Sequence, residues 1–275
     1  MAYGPWDPPR IGLVSDIHYC EAPDAIGRHY RLAPATLQAV VCACREIRVA
    51  AIVELGDMKD QDDPPDPART RTYARRIEGL LHEAGVPVIH ALGNHEVDCL
   101  EKPEFLELIR EPAGVPAGAA HFRLDLAGVT WLVLDANFRP DGTALTRGHE
   151  FWTDPTLPAD QIEWLERELA AASAPPVVVI HQRLDLDPPN EFAVRNSAAV
   201  RDVLERSGRS PLVVQGHTHV GDARVLGGVV YYTVAALVDS TPDDPSWALL
   251  ETGRGTWRIR GYGRSPSFEF PAPRA

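Results

Sequence analysis

Short apolar runs bounded by polar clusters recur along the chain at residues 11–14, 50–55, 87–92, 177–180 and 212–214. Uninterrupted runs of this length read as strands buried on both faces. Between the first two, residues 31–49 carry Pro34 near the start and Leu37, Val40, Val41, Cys44 and Ile47 at helical spacing, which predicts a helix. A second helix is predicted over 70–84, stopping at Gly85. Strand, helix and strand in alternation predict parallel pairing through βαβ units. Residues 122–126 and 130–134 around Gly128 predict a β-hairpin, and helices over 158–172 and 197–207 flank the strand at 177–180. Beyond residue 219, short strands at 223–225, 229–233, 247–251 and 256–260 read as an antiparallel meander. The expected architecture is α/β: two mixed β-sheets packed face to face with helices outside, a four-layer αββα sandwich. Residues 1–264 are expected to form one domain, with a Pro-rich peripheral tail over 265–275.

Each of the five strands runs straight into polar residues: Asp16-Ile-His18, Gly56-Asp57, Gly93-Asn94-His95-Glu96, His181, and Gly216-His217-Thr218-His219. In an open α/β sheet the strand ends converge on one rim, so groups distant in sequence become neighbours there. The predicted site therefore sits at the C-terminal rim of the strands and holds two metal ions. Asp16 and His18, one residue apart, can both reach one cation while Ile17 points into the core, and His217 and His219 repeat that spacing. Asp57 can bridge two cations through its two oxygens, and Asn94 offers a neutral carbonyl oxygen. Oxygen and imidazole donors without thiolate suit manganese, iron or zinc better than a structural zinc cage. His181 alone would read as a hydrogen-bonded core residue; the other four clusters change that reading. His90 and His121 match no cluster and are read as structural.

Together the five clusters resemble the calcineurin-like metallophosphoesterase superfamily, whose signature is D-x-H, G-D-x-x-D, G-N-H-[DE], H and G-H-x-H in that order. The resemblance implies Asp16, His18 and His219 on one metal, Asn94, His181 and His217 on the other, and Asp57 between them. It implies that His95 approaches the phosphate, with Glu96 orienting it and Asp60 supporting the bridging region, so that His95, Glu96 and Asp57 form the catalytic group. It further implies a hydroxide held between the cations and attacking phosphorus in line. The cofactors implied are two divalent or trivalent ions, manganese or iron foremost and zinc third.

The segment Gly56-Asp57-Met58-Lys59-Asp60-Gln61 lacks the arginine that follows the second aspartate in the superfamily's serine/threonine protein phosphatases, which disfavours that activity. Arg28-His29-Tyr30-Arg31, the stretch 235–242 and the segment 259–264 are similar to manganese-dependent ADP-ribose/CDP-alcohol pyrophosphatases. Those enzymes have D-x-Q at the first cluster. His18 instead matches the ligand of class III cyclic-nucleotide phosphodiesterases and many phosphatases. The expected substrate is a small nucleotide-like molecule cleaved at a phosphodiester or pyrophosphate bond. A phosphomonoesterase is the alternative, and a catalytically idle scaffold a further one that the full set of ligand types disfavours. Long loops over 59–69, 137–157 and 182–196 are expected around the rim. Tyr30, Arg139, Arg147, His149 and Trp152 are the candidate substrate contacts.

A net charge of −12 repels polyanions, which disfavours a general nuclease but not a small phosphate ester drawn to bound cations. Cys20, Cys42, Cys44 and Cys99 have no C-x-x-C spacing and are too few for a disulfide scaffold, so reduced thiols are expected. The start, Met1-Ala-Tyr-Gly-Pro-Trp-Asp, has no basic segment leading into an apolar one. No apolar stretch approaches the roughly 20 residues of a membrane span. A cytoplasmic protein without membrane contact is expected.

Overall fold

The computed structural model describes residues 8–148, 152–209 and 211–274 and contains two six-stranded sheets packed face to face. The first sheet is built on three parallel strands, β1 (Arg10–Val14), β2 (Ala51–Glu54) and β3 (Val88–His90). Helices α1 (Ala33–Ile47) and α2 (Pro67–His82) make the crossovers. The short helix α3 (Lys102–Leu106) then leads to the second sheet, which opens with the antiparallel hairpin β4 (Phe122–Leu126) and β5 (Val129–Val133). After α4 (Ala159–Ala171), β6 (Pro176–Val179) pairs parallel with β5; after α5 (Ser197–Arg206), β7 (Leu212–Gln215) pairs parallel with β6.

The period of two along each strand sorts side chains between layers. Ile11 and Leu13 of β1, Val53 of β2, Trp131 and Val133 of β5, Val177 and Val179 of β6 and Val214 of β7 meet in the core between the sheets. Their neighbours Ile52, Val178 and Val213 face the outer layers. Ile52 packs with Leu37, Val41 and Ile77 of α1 and α2, and Val178 and Val213 pack with Leu165 and Val200 of α4 and α5. Each such side chain contributes about 1.5–3 kcal/mol when fully buried, so a helix covers each outer face.

The segment read as one meander is divided between the sheets. β8 (Asp222–Leu226) and β9 (Val229–Thr233) form a hairpin in the second sheet, where β9 lies parallel to β7. All five residues of β9 are buried, as befits an interior strand. The chain then crosses over, and β10 (Trp247–Thr252) pairs antiparallel with β1, followed by β11 (Thr256–Tyr262). The expected peripheral tail also departs from its reading: it supplies β12 (Phe268–Pro271), the edge strand beside β11, and buries Phe270 against Trp257. Helix α2 begins before the expected Thr70 because Asp66 caps it, accepting the backbone N–H groups of Ala68 and Arg69.

Candidate metal centre

The loops after β1, β2, β3, β6 and β7 meet at one rim, and three glycines let them approach. A Cβ on Gly93 would fall 2.6 Å from the Asp57 backbone nitrogen, and one on Gly56 2.8 Å from His181 Nδ1. One on Gly216 would fall 2.7 Å from Asp16 Oδ2. The side chains delivered there stand on unusual backbone: Asp16, His18, Asp57, His217 and His219 all have φ between 48° and 73°. Left-handed conformation costs a non-glycine residue roughly 1–2 kcal/mol, and its concentration at one rim marks a functional site.

Two nests of donor atoms result. In the first, His18 Nε2 and His219 Nε2 face each other at 3.2 Å, and Asp16 Oδ1 lies 3.7 Å and 3.6 Å from them. In the second, His181 Nε2 lies 3.1 Å from His217 Nδ1 and 3.1 Å from Asp57 Oδ2. Asp57 Oδ2 is also 3.6 Å from His18 Nε2, so this one oxygen borders both nests. Its partner Oδ1 accepts the His95 backbone N–H at 2.8 Å. Of the two Asp57 oxygens, Oδ2 is thus the one that faces both nests. Asn94 lines the same cleft.

The donor set fits metal ions on geometric grounds. Nitrogen and oxygen ligands about 2.0–2.2 Å from one tetrahedral ion stand about 3.3–3.6 Å apart, close to the spacings seen. Asp16 Oδ1 is buried without a hydrogen-bond partner, as a ligand oxygen would be. The far side of two imidazoles is held by the protein, which points the other nitrogen at the nests, and a carboxylate faces the far side of a third. His181 Nδ1 donates to the Leu55 carbonyl at 2.8 Å, His219 Nδ1 lies 3.2 Å from Asp239 Oδ1, and His18 Nδ1 lies 3.4 Å from Asp60 Oδ2.

The field at the rim attracts positive charge. Burial opposes a charged His181, yet Asp57, Asp16 and Glu96 outweigh it and raise the imidazole to about 10. Burial likewise opposes an ionised Asp57, but the surrounding histidines hold its carboxyl well below the usual range. Burial and the neighbouring His181 push His217 down to about 3. The same carboxylates would attract a metal cation.

His95 lines the cleft, its ring 4.6 Å from that of His18. Its Nδ1 faces Asp60 Oδ1 at 3.2 Å and Asp98 Oδ2 at 3.0 Å. Glu96 does not orient it. The fully buried Glu96 carboxylate instead accepts three backbone N–H groups, those of Asp57 and Gly93 at 2.7 Å and Met58 at 2.9 Å. It clamps two ligand turns together, a structural office in place of the catalytic one expected.

The cleft has a volume of about 200 Å³ and is also lined by Arg28, Trp152 and Phe192. Trp152 and Phe192 pack edgewise on His217, with ring centroids 5.6 Å and 5.4 Å away. The other expected substrate contacts lie elsewhere. Tyr30 is buried in the core under α1, and from its segment Arg28 enters the cleft instead. Arg147 pairs with Glu101 at 3.5 Å and Glu104 at 3.9 Å, and Arg139 borders a separate depression with Pro140 and Asp154. His149 lies outside the described residues. Phe192, Asp98 and Asp239 were not legible as site residues: Phe192 sits in a loop without periodicity, and the two aspartates follow the motifs at unmarked positions.

Residues 9–221 match the family model described as calcineurin-like phosphoesterase. The chain belongs to that family. As a calcineurin-like phosphoesterase it is a hydrolase of phosphoric esters, and the family's dependence on two metals agrees with the His/Asp groupings at the rim. Over 229 residues, 74% of this chain and 80% of the relative, it is 26% identical to a probable cyclic nucleotide phosphodiesterase of Fibrobacter succinogenes. A dimetal phosphatase from Danio rerio shares the fold with a TM-score of 0.82 at 18% identity, covering 96% of this chain and 99% of that one. GAP50, the anchor in the inner membrane complex of Plasmodium, shares it with a TM-score of 0.60 at 12% identity, covering 98% and 90%. Among the described residues, no helix is long and apolar enough to cross a membrane.

Proposed function

We propose that this phosphoesterase hydrolyses a phosphodiester or pyrophosphate bond in a small nucleotide-like substrate. In this reading Asp16, His18 and His219 would hold one cation, Asn94, His181 and His217 the other, and Asp57 would serve both. Manganese or iron is the proposed pair, with zinc the third choice for the same donors. When bound, the ions would supply Lewis acidity and an acidified water near neutral pH. The chain's own groups do the rest. His95, held at Nδ1, turns Nε2 toward the leaving oxygen and donates a proton to it. Arg28 offers a guanidinium for a second anionic group. Trp152 and Phe192 give a base or other flat group an apolar wall.

The observation that carries the diester reading is the composition of the cleft beyond the metal nests: one cation and two aromatic rings on the same small cavity. A lone phosphate monoester needs neither ring. The homologue from Fibrobacter succinogenes, called a probable cyclic nucleotide phosphodiesterase, supports the same class. A phosphomonoesterase is the second reading, favoured by a volume of about 200 Å³, below the roughly 300–1,000 Å³ of pockets that enclose a whole drug-sized ligand. On the diester reading the cleft encloses the reacting phosphoryl group and the remainder lies along its mouth.

Purified protein loaded in turn with manganese, iron or zinc, then offered bis-p-nitrophenyl phosphate, p-nitrophenyl phosphate, cyclic AMP, ADP-ribose and CDP-choline, tests this. Turnover of one or more of the diesters or pyrophosphates above the monoester is expected. Cleavage of the monoester alone would reject the proposal in favour of the second reading.

A further inference from the structure

Two carboxylates converge on His95 Nδ1, and they differ in what else they hold. Asp60 lies 3.2 Å from Nδ1 through Oδ1 while its Oδ2 lies 3.4 Å from His18 Nδ1, so it also faces the His18 ring from the side away from the first nest. Asp98 contacts Nδ1 through Oδ2 at 3.0 Å, and its Oδ1 pairs with the ammonium of Lys59. The Lys59 side chain is fully buried, and Asp98 is its ion-pair partner among the described residues. Lysine is seldom buried this completely, because its head group is strongly hydrated and desolvation is costly. Lys59 follows Asp57 by two residues in a turn fixed by the bridge between Tyr19 and Lys59. Asp98 follows His95 by three. The pair thus joins the two turns that carry the shared carboxylate and the cleft histidine, and ends on the ring nitrogen opposite the reacting one.

We propose that Lys59 and Asp98 are a positioning pair that fixes the His95 ring so that Nε2 faces the leaving oxygen, an inference that rests on the phosphoester reading of this cleft. The hydrogen bond at Nδ1 runs to Asp98, while Asp60 lies 3.2 Å from the same nitrogen and divides its oxygens between two rings. Asp98, anchored from behind, supplies the second point of contact. In the step so served, the bond from phosphorus to the leaving oxygen breaks with its electron pair on oxygen. The Nε2 proton passes to that oxygen, the oxygen of water bonds to phosphorus, and the displaced water proton goes to solvent. Neither Lys59 nor Asp98 touches the substrate.

A pair serving only the fold would slow all substrates alike when altered. A positioning pair slows those that need the proton. The test compares two esters of the same phosphoryl group, one leaving as p-nitrophenolate, which departs without a proton, and one leaving as an alkoxide, which does not. His95→Ala is the reference and is expected to lose about 10²- to 10⁴-fold in kcat on the alkyl ester, and much less on the p-nitrophenyl ester. Asp98→Asn and Lys59→Met are expected to lose about 10- to 100-fold in kcat on the alkyl ester. KM and metal content should stay unchanged, and p-nitrophenyl turnover close to wild type. Lys59→Met strands a buried carboxylate, so the double variant Lys59→Met/Asp98→Asn, which removes both charges, accompanies it as the folded control with the same expected signature. Equal fractional losses on the two esters, or wild-type kcat on the alkyl ester in Asp98→Asn, would overturn the inference while leaving His95 in place. A His95→Ala enzyme indifferent to the leaving group would overturn the reading of His95 and the inference with it.

Discussion

Asp57 concentrates the physics of the rim in one side chain. Its φ of 56° is tolerated by aspartate and asparagine better than by most residues, its Oδ1 is fixed by the His95 backbone, and its Oδ2 borders both nests. Asp57→Asn keeps the backbone conformation and an acceptor for His95 and removes the charge. It is expected to lower turnover by about 10²-fold or more and to reduce the metal retained on purification, read by elemental analysis, without a change in far-ultraviolet circular dichroism. A second buried cluster lies away from the rim. His90 Nε2 is 3.0 Å from Glu78 Oε2 and His90 Nδ1 3.3 Å from Glu111 Oε1, with His82 and Arg110 also against Glu78 and Glu54 acting on His90 from β2. Burial disfavours the imidazolium, but Glu111 and Glu78 outweigh it and raise His90 well above its ordinary value of 6.5. A raised basic group stabilises the fold fully below its unfolded value and loses that contribution as pH climbs through the folded one. The stability difference between wild type and His90→Gln, from urea unfolding at equal metal loading, should therefore be largest below pH 6.5 and shrink as the pH is raised above it. A difference that grows with pH would contradict the charged cluster.

At the scale of elements, the strands that deliver the site were legible because each is a continuous apolar run ending in polar residues, and β1, β2, β6 and β7 lie within or beside the expected spans. Helices with a clear apolar stripe were equally legible: α4 at Ala159–Ala171 differs from expectation by one residue at each end, and α5 at Ser197–Arg206 by one at its C-terminal end. Pairing was less so. Alternation tells which face of a strand is buried, not which of two sheets receives it, so the division between β9 and β10 was hidden. β12 was hidden for another reason: three prolines in residues 265–275 read as irregular chain, yet an edge strand tolerates them. That strand is not ornamental, since Phe270 is 4% exposed and packs on Trp257 in the inter-sheet core. Phe270→Ala is expected to cost about 3 kcal/mol, measured as a drop in the unfolding midpoint in urea with an unchanged slope. A loss under about 0.5 kcal/mol, the range of ordinary surface substitutions, would return the tail to a peripheral role.

For the whole molecule, two fields of opposite reach decide what arrives at the rim. The chain carries 39 acidic against 27 basic side chains, a net charge of −12, and this repels a polyanion over a Debye length of about 10 Å at 0.1 M salt. Within the cleft the order reverses, because bound cations and Arg28 would dominate at contact distance. A substrate with one or two phosphates meets little of the outer repulsion and all of the inner attraction. A nucleic acid must bring many phosphates up to a chain of net charge −12, and the repulsion grows with each of them. On the proposed reading the bond broken is the same in both, so the chemical step would not distinguish them. Discrimination should therefore fall mainly in kcat/KM and respond to salt. At 0.05 M salt, circular DNA and single-stranded RNA are expected to be cleaved at least about 10²-fold more slowly per phosphodiester than bis-p-nitrophenyl phosphate, with allowance made for the better leaving group by a dinucleotide control. Raising salt to 0.3 M should narrow the gap between polymer and dinucleotide by screening the repulsion. A gap that widens with salt would mean that the polymer is held by attraction, and a basic binding track would then have to exist on this surface.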